Sequence, residues 1–301
     1  MLYVEPNYYS DFKCIASDCK HSCCVGWEID IDTDSYERYM SMSGEIGERL
    51  RSGIAVENSQ PHFVLCEGER CPMLNKNGLC DLITACGEDT LCDICADHPR
   101  FRNYFSDREE IGLGLCCEAA AELIVNYPEP FELIYTQVGE VYDDLNEDEA
   151  MLISCRDEAL KLAMDKAKSF EARCETLLKH FRTALTDKSP AQWASFYRNL
   201  ERLDPKWDEY LSFLSDCVCF KITTDNEKCA ENLLCYFIYR YLPAALDDGD
   251  ISSKIAFSVH ACRIILTLSQ KYSLIESSRM YSSEIEYSDE NTNAVISYLS
   301  D

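Results

Sequence analysis

The chain of 301 residues is long enough to bury a core without cross-links, and it carries 54 acidic residues against 28 basic ones, a net charge of −26 at pH 7. That balance excludes nucleic acids and anionic membrane surfaces as partners, because both are bound chiefly through Lys and Arg. It favours a basic peptide, an exposed lysine or a cationic cofactor, although solubility alone would also account for it.

The opening MLYVEPNYYSDFK has an acid where a signal peptide needs a basic start followed by an apolar run. The nearest approach to a membrane span, ENLLCYFIYRYLPAAL, is interrupted short of the roughly 18 to 20 residues required. The reading is a soluble, cytoplasmic protein. Thiols stay reduced there, so a cysteine-rich segment points to metal binding or catalysis before disulfides.

Twelve of the 19 cysteines precede residue 118, in groups: Cys14, Cys19, Cys23 and Cys24; Cys66, Cys71, Cys80 and Cys86; Cys92 and Cys95; Cys116 and Cys117. The same stretch holds nine of the 11 glycines and short apolar pieces of no sustained period, as in a loop-rich domain ordered by bound metal. From about residue 131 helical periodicity takes over. Leu152, Ala159, Leu160, Ala163, Met164 and Ala167 share one face, and Leu177, Leu178, Phe181 and Leu185 another. Ser169 reads as an N-cap, Ser189 with Pro190 as a helix start, and Asp204 before Pro205 as a break. Stripes at Leu234, Phe237, Ile238, Tyr241 and Leu242, and at Ile255, Val259, Cys262 and Leu266, flank the turn DDGD. The acidic tail from Glu284 to Asp301 fits one last short helix.

The predicted fold is therefore mainly α: an irregular, cysteine-rich metal-binding domain over 1–128, then an all-helical domain of six or seven helices over 129–301. The seven cysteines after residue 150 read as small buried hydrophobes on helix faces.

Soft thiolate donors exclude calcium and magnesium and leave zinc, copper(I) or an iron–sulfur cluster, each needing about four ligands from separated loops. Only Cys92 and Cys95 have the spacing of a zinc knuckle, and spacing leaves zinc against iron–sulfur open. His98 and His21 lie within reach of cysteines as second-sphere candidates, whereas His62, His180 and His260 read as structural. A radical-type Cys-x-x-x-Cys-x-x-Cys would continue from Cys19 and Cys23 to position 26, which is Gly26. The chain also lacks the strand, glycine-rich turn and helix of a dinucleotide-type fold; IGLGL at 111–115 has two of the glycines without that context.

The segments CIASDCKHSCCVGWEIDID, CPMLNKNGLCDLI, CADHPR and LCCEAAAELI, in this order, resemble the bacterial flagellin lysine-N-methylase family over roughly residues 8–123. Their cysteines are also similar to those of proteins described as zinc- or iron-chelating cysteine clusters. The resemblance implies Cys14, Cys19, Cys23, Cys24, Cys71, Cys80, Cys95 and Cys116 as metal-binding residues, with Trp27, Pro72, Pro99, Arg100 and Glu118 as companions. Cys66, Cys86, Cys92 and Cys117 fall outside it. It further implies an S-adenosylmethionine-dependent enzyme holding a 4Fe-4S cluster, with zinc as the alternative, and flagellin or another lysine-bearing protein as partner. The competing expectation is a non-catalytic zinc or iron–sulfur module that mediates protein interaction. A thiol–disulfide enzyme would need one exposed, low-pKa pair such as Cys92 and Cys95 and leaves the other early cysteines unexplained.

Methyl transfer to lysine requires the neutral amine, a small fraction at pH 7 for a group with a pKa of about 10.4. A neighbouring positive charge such as a sulfonium lowers that pKa, and an acid takes the proton. Glu118 is a candidate acceptor, with an N-terminal helix acid as its ordinary reading. Tyrosines, 18 in all, could line a sulfonium site.

Overall fold

The computed structural model describes residues 1–139, 144–222 and 226–300. The chain divides into two compact units, Lys13–Arg100 and a larger one formed by Met1–Phe12 with Phe101–Asp301. Strand β1 (Leu2–Pro6) opens the larger unit.

The smaller unit contains α1 (Thr33–Ser41), α2 (Gly44–Gly53), the antiparallel hairpin β2 (Ile54–Glu57) and β3 (Gln60–Phe63), and two short helices, α3 (Asp81–Cys86) and α4 (Asp93–Asp97). Asp32 caps α1 by accepting the Ser35 N–H at 2.8 Å, and its other oxygen accepts the Asp93 N–H at 3.0 Å. One side chain thus starts α1 and anchors α4. The core is small: Ile29, Ile31, Tyr39, Leu50, Phe63, Met73 and Leu82, with Cys71 and Cys92 buried among them.

The larger unit continues with β4 (Arg100–Tyr104), β5 (Arg108–Leu113), α5 (Glu118–Asn126) and β6 (Leu133–Gln137). Its sheet runs β4-β5-β1-β6, with β1 parallel to β5 and antiparallel to β6, so that Val4 faces Glu110 on one side and Tyr135 on the other. The sequence reading contained no strand and began the helical region near 131. Residues 133–137 are instead an edge strand, mostly exposed, whose partner lies at the far end of the chain, so no local alternation betrays it. The expected boundary at 128 also differs from the division found. Leu113, Leu115, Ala120, Ala121, Ile124 and Val125 are buried in the same core as the later helices.

Those helices are α6 (Glu147–Ala163), α7 (Phe170–His180), α8 (Pro190–Tyr197), α9 (Trp207–Asp216), α10 (Glu227–Tyr241), α11 (Ala245–Asp248), α12 (Ile251–Leu268), α13 (Leu274–Tyr281) and α14 (Asp289–Ser300), with a π-helical turn at Ser282–Glu286. They exceed the six or seven expected because short pieces such as α11 have too few turns to show a period. Caps fall where the sequence placed them. Ser169 accepts the Ala172 N–H, and Ser189 forms a capping box with Gln192 before Pro190. The turn DDGD closes on Gly249, whose φ of +72° is the left-handed value that glycine reaches without strain.

Helices α10 and α12 are buried almost all round, so they form the centre of the unit. α12 is long and apolar enough to cross a membrane, which corrects the expectation that no window comes close; 83% of that window is buried inside the protein, as befits a core helix. Charges at the centre are paired, Arg173 with Glu231 at 2.6 Å and Arg156 with Glu110.

His260 on α12 is fully buried against the Trp193 ring at 3.9 Å. Arg263 lies 2.9 Å from its Nδ1 and can only donate, so Nδ1 accepts and Nε2 donates to the Tyr197 hydroxyl at 3.0 Å. Burial and the nearby Arg263 charge hold its pKa well below 6.5. The folded protein therefore binds fewer protons here than the unfolded chain, and stability present above about pH 6.5 is lost as the pH falls. Relative to the wild type, His260→Gln flattens the loss of stability below that pH by up to about 1.4 kcal/mol per pH unit, measured by urea unfolding between pH 7.5 and 5.

Candidate metal centre

The smaller unit is built from turns that turn cysteines inward. The Cys71 N–H donates to the Cys24 carbonyl at 2.8 Å, and the Gly26 N–H to the Glu69 carbonyl at 2.9 Å, which ties two loops side by side. Gly26 has a φ of +93°, a conformation that a residue with a Cβ adopts only under strain. The position where a radical motif would put its third cysteine is thus a backbone turn, for which glycine is the suited residue.

Beyond Cys71 the chain turns over Pro72, with the Leu74 N–H on the Cys71 carbonyl at 3.0 Å. Asn75 then organises a tight loop: its Oδ1 accepts the N–H groups of Asn77 (2.9 Å) and Leu79 (3.1 Å), and its amide donates to Asp81 at 2.7 Å. That loop brings Cys80 back opposite Leu74, at the start of α3. Arg49 on α2 clamps both ends, donating to the Pro72 carbonyl at 2.7 Å and pairing with Asp81. Pro72 packs so closely on Gly53 that a Cβ there would sit 2.8 Å from its ring.

Cys95 comes from α4, fixed by Asp32 and by Tyr39, whose hydroxyl donates to the Thr90 carbonyl at 2.8 Å. The result is a small cavity of about 80 Å³ into which Cys23, Cys24, Cys71, Cys80 and Cys95 converge, with Trp27, Tyr39, Phe63 and His98 among its walls. The thiols feel one another. Burial pushes the Cys71 thiol up to about 12, and proximity to Cys24 and Cys80 adds to it. Cys80 is raised by burial and by Cys24; Cys95 by its contact with Cys92, by burial and by Cys24 and Cys71. Cys24 is drawn down to about 7, chiefly by a hydrogen bond with Cys23. His98 is held neutral by burial, its pKa lowered to about 4.

Of the eight cysteines implied by the resemblance, Cys23, Cys24, Cys71, Cys80 and Cys95 line this cavity. Cys14 and Cys19 do not. Cys14 is exposed and accepts the Ala16 N–H, while Cys19 donates to the His21 carbonyl at 3.2 Å. Cys116 belongs to the larger unit, where Arg240, Glu286 and Tyr287 surround it and burial pushes its thiol up to about 12. Glu118 is the first residue of α5 and half-buried. Among the companions, Trp27 lines the cavity and donates to the Cys23 carbonyl at 2.7 Å. Cys66 and Cys86 are exposed, as the resemblance left them. Cys92, which the spacing paired with Cys95 and the resemblance left out, is fully buried beside it, and sequence reasoning missed the supports Asn75, Arg49 and Asp32. Asn-x-Asn-Gly was the one legible turn signal among them.

Among the described residues, no three His, Cys, Asp or Glu side chains are grouped so as to hold a single metal ion.

Comparison with known proteins relates the chain to the lysine-N-methylases. It is 24% identical over 140 residues to the lysine-N-methylases of Salmonella choleraesuis and Salmonella typhimurium, covering 43% of this chain and 34% of each relative. The same identity over 140 residues holds for the flagellar biosynthetic protein FliU of Salmonella muenchen, of which 80% is covered. The match thus spans about a third of the lysine-N-methylases. No protein-family profile and no solved structure matches the chain.

Asn75→Ala removes the acceptor of two loop N–H groups and the donor to Asp81, and is expected to destabilise the smaller unit by about 1 to 3 kcal/mol. Asn77→Ala, at the exposed tip, changes it by less than about 0.5 kcal/mol. Chemical unfolding followed by Trp27 fluorescence, with the other two tryptophans replaced by Phe in the reference protein, measures both.

Proposed function

We propose that the chain is an S-adenosylmethionine-dependent protein-lysine N-methyltransferase whose smaller unit holds a cysteine-ligated iron–sulfur cluster through Cys24, Cys71, Cys80 and Cys95. The observation that carries the metal centre is the cavity itself. Cys24 shares a small, mostly apolar space with Cys71, Cys80 and Cys95, whose thiols are raised by burial and by their thiol neighbours, and only a strongly cationic group lets the four ionise together. The soft donor set suits zinc and an iron–sulfur cluster alike, and the cluster is preferred on the resemblance to the lysine-N-methylases.

The methyltransferase reading rests on the relatives named lysine-N-methylase, and flagellin as substrate on the relative named for flagellar biosynthesis. The bound methyl donor supplies an electrophilic methyl group and a positive charge. The protein has to present a neutral lysine, and its excess of 26 negative charges draws a cationic, lysine-bearing segment towards it in the cytoplasm. Glu118 stands as the candidate proton acceptor.

Anaerobic purification followed by iron, sulfide and zinc analysis tests the reading. About four irons and four sulfides per chain are expected, together with transfer of labelled methyl groups from S-adenosylmethionine to flagellin lysines. A colourless zinc protein without transfer would point instead to an interaction module. Cys71→Ala and Cys95→Ala are expected to lose metal and to unfold more readily, whereas Cys86→Ala, exposed and outside the cavity, retains both.

A further inference from the structure

The sheet of the larger unit ends on β6, whose outward side has no neighbouring strand among the described residues. Met1 and Val138 exchange N–H to carbonyl bonds at 3.0 and 3.1 Å, so the alternation of an antiparallel pair turns the N–H and C=O groups of Leu133, Tyr135 and Gln137 away from β1. These are the unpaired groups of a sheet edge, open to another strand. The same pairing puts Met1, Tyr3, Ile134 and Val138 on one face of the sheet, and all four are exposed, so an apolar patch borders the free edge. The chain around it is acidic. Residues 110–155 hold 11 acidic residues and no Lys, Arg or His, with Glu129 and Glu132 exposed just before the strand. Burial raises the pKa of the Tyr135 hydroxyl and the Asp157 carboxylate adds to it, while the arginines near it, Arg108 and Arg156, are paired with Asp107 and Glu110.

We propose that the β6 edge is a docking site for a basic, extended segment of a partner protein, which adds to the sheet as a fifth strand. Extended backbone is what matches the spacing of the outward groups along Leu133–Gln137. The segment is basic because a second copy of this chain, at a net charge of −26, would bring the same acidic run against itself, whereas Lys or Arg at alternate positions is drawn to it. Apolar residues at the intervening positions then lie beside Ile134 and Val138. The inference rests on the methyltransferase reading only for calling that partner the substrate; binding itself requires neither the methyl donor nor the metal centre.

The test is fluorescence anisotropy of a labelled peptide of about ten residues, alternating Lys and Val, titrated with the whole chain. Saturable binding by wild type is expected, lost when Glu replaces Lys in the peptide. Gln137→Pro deletes one outward N–H and leaves the pairing with β1 alone, so it is expected to weaken binding about tenfold or more with the melting temperature of wild type. Ile134→Lys combined with Val138→Lys keeps the backbone and sets cations against the peptide, and is expected to weaken binding as well. Equal binding in wild type and both variants, equal binding of the Glu peptide, or no binding by wild type would overturn the inference. So would a wild-type dimer by light scattering that Gln137→Pro converts to a monomer, because the edge then belongs to a second copy. Methyl transfer is read separately: its absence with peptide binding intact removes the name of substrate and leaves the docking site.

Discussion

Several thiols in one small apolar cavity cannot all be anions unless a positive charge stands among them. Cys24, Cys71, Cys80 and Cys95 are in that position, and the smaller unit depends on how it is resolved. Protonated, the four are small, weakly interacting hydrophobes around a void, and the core behind them is modest. With the proposed metal group bound, each sulfur would become an anion, and the free energy of binding would become free energy of folding. The turns over Pro72, Asn75 and Gly26 make sense as devices that hold those loops ready for the group.

The larger unit solves a different problem in the ordinary way. Its core is continuous from Leu113 in the sheet through α10 and α12, and the buried arginines Arg156 and Arg173 are paired with Glu110 and Glu231. Where pairing is impossible, as at His260, the group is kept neutral and hydrogen-bonded at both nitrogens. Close to Cys116 the same unit gathers Tyr236, Tyr241 and Arg240 around Glu286, with both tyrosines donating to one carboxylate oxygen, at 2.7 and 3.0 Å. That cluster sits on the π-helical turn, a feature in which backbone regularity yields to side-chain placement.

How much of this was legible depends on the range of the signal. Helices were, because their caps and stripes are local: Ser169, Ser189, Pro190 and Gly249 are found where the sequence put them. Strands β1, β5 and β6 were not, since what makes them strands is a partner a hundred or more residues away. The cysteine grouping announced a thiolate site, but spacing alone could not separate Cys71, which faces the cavity, from Cys66, five residues earlier and exposed. The difference lies in the turn between them, set by Arg70 pairing back to both Val25 and Cys66.

The central claim is that a group bound by these four thiols orders the smaller unit. Hydrogen–deuterium exchange of the anaerobic protein, read by mass spectrometry before and after metal removal with a chelator, addresses it segment by segment. Removal should release protection across 66–98, above all at the Cys71–Asp81 loop and α4, and leave α10 and α12 unchanged. Equal protection of the Cys71–Asp81 loop in the two states would contradict the account.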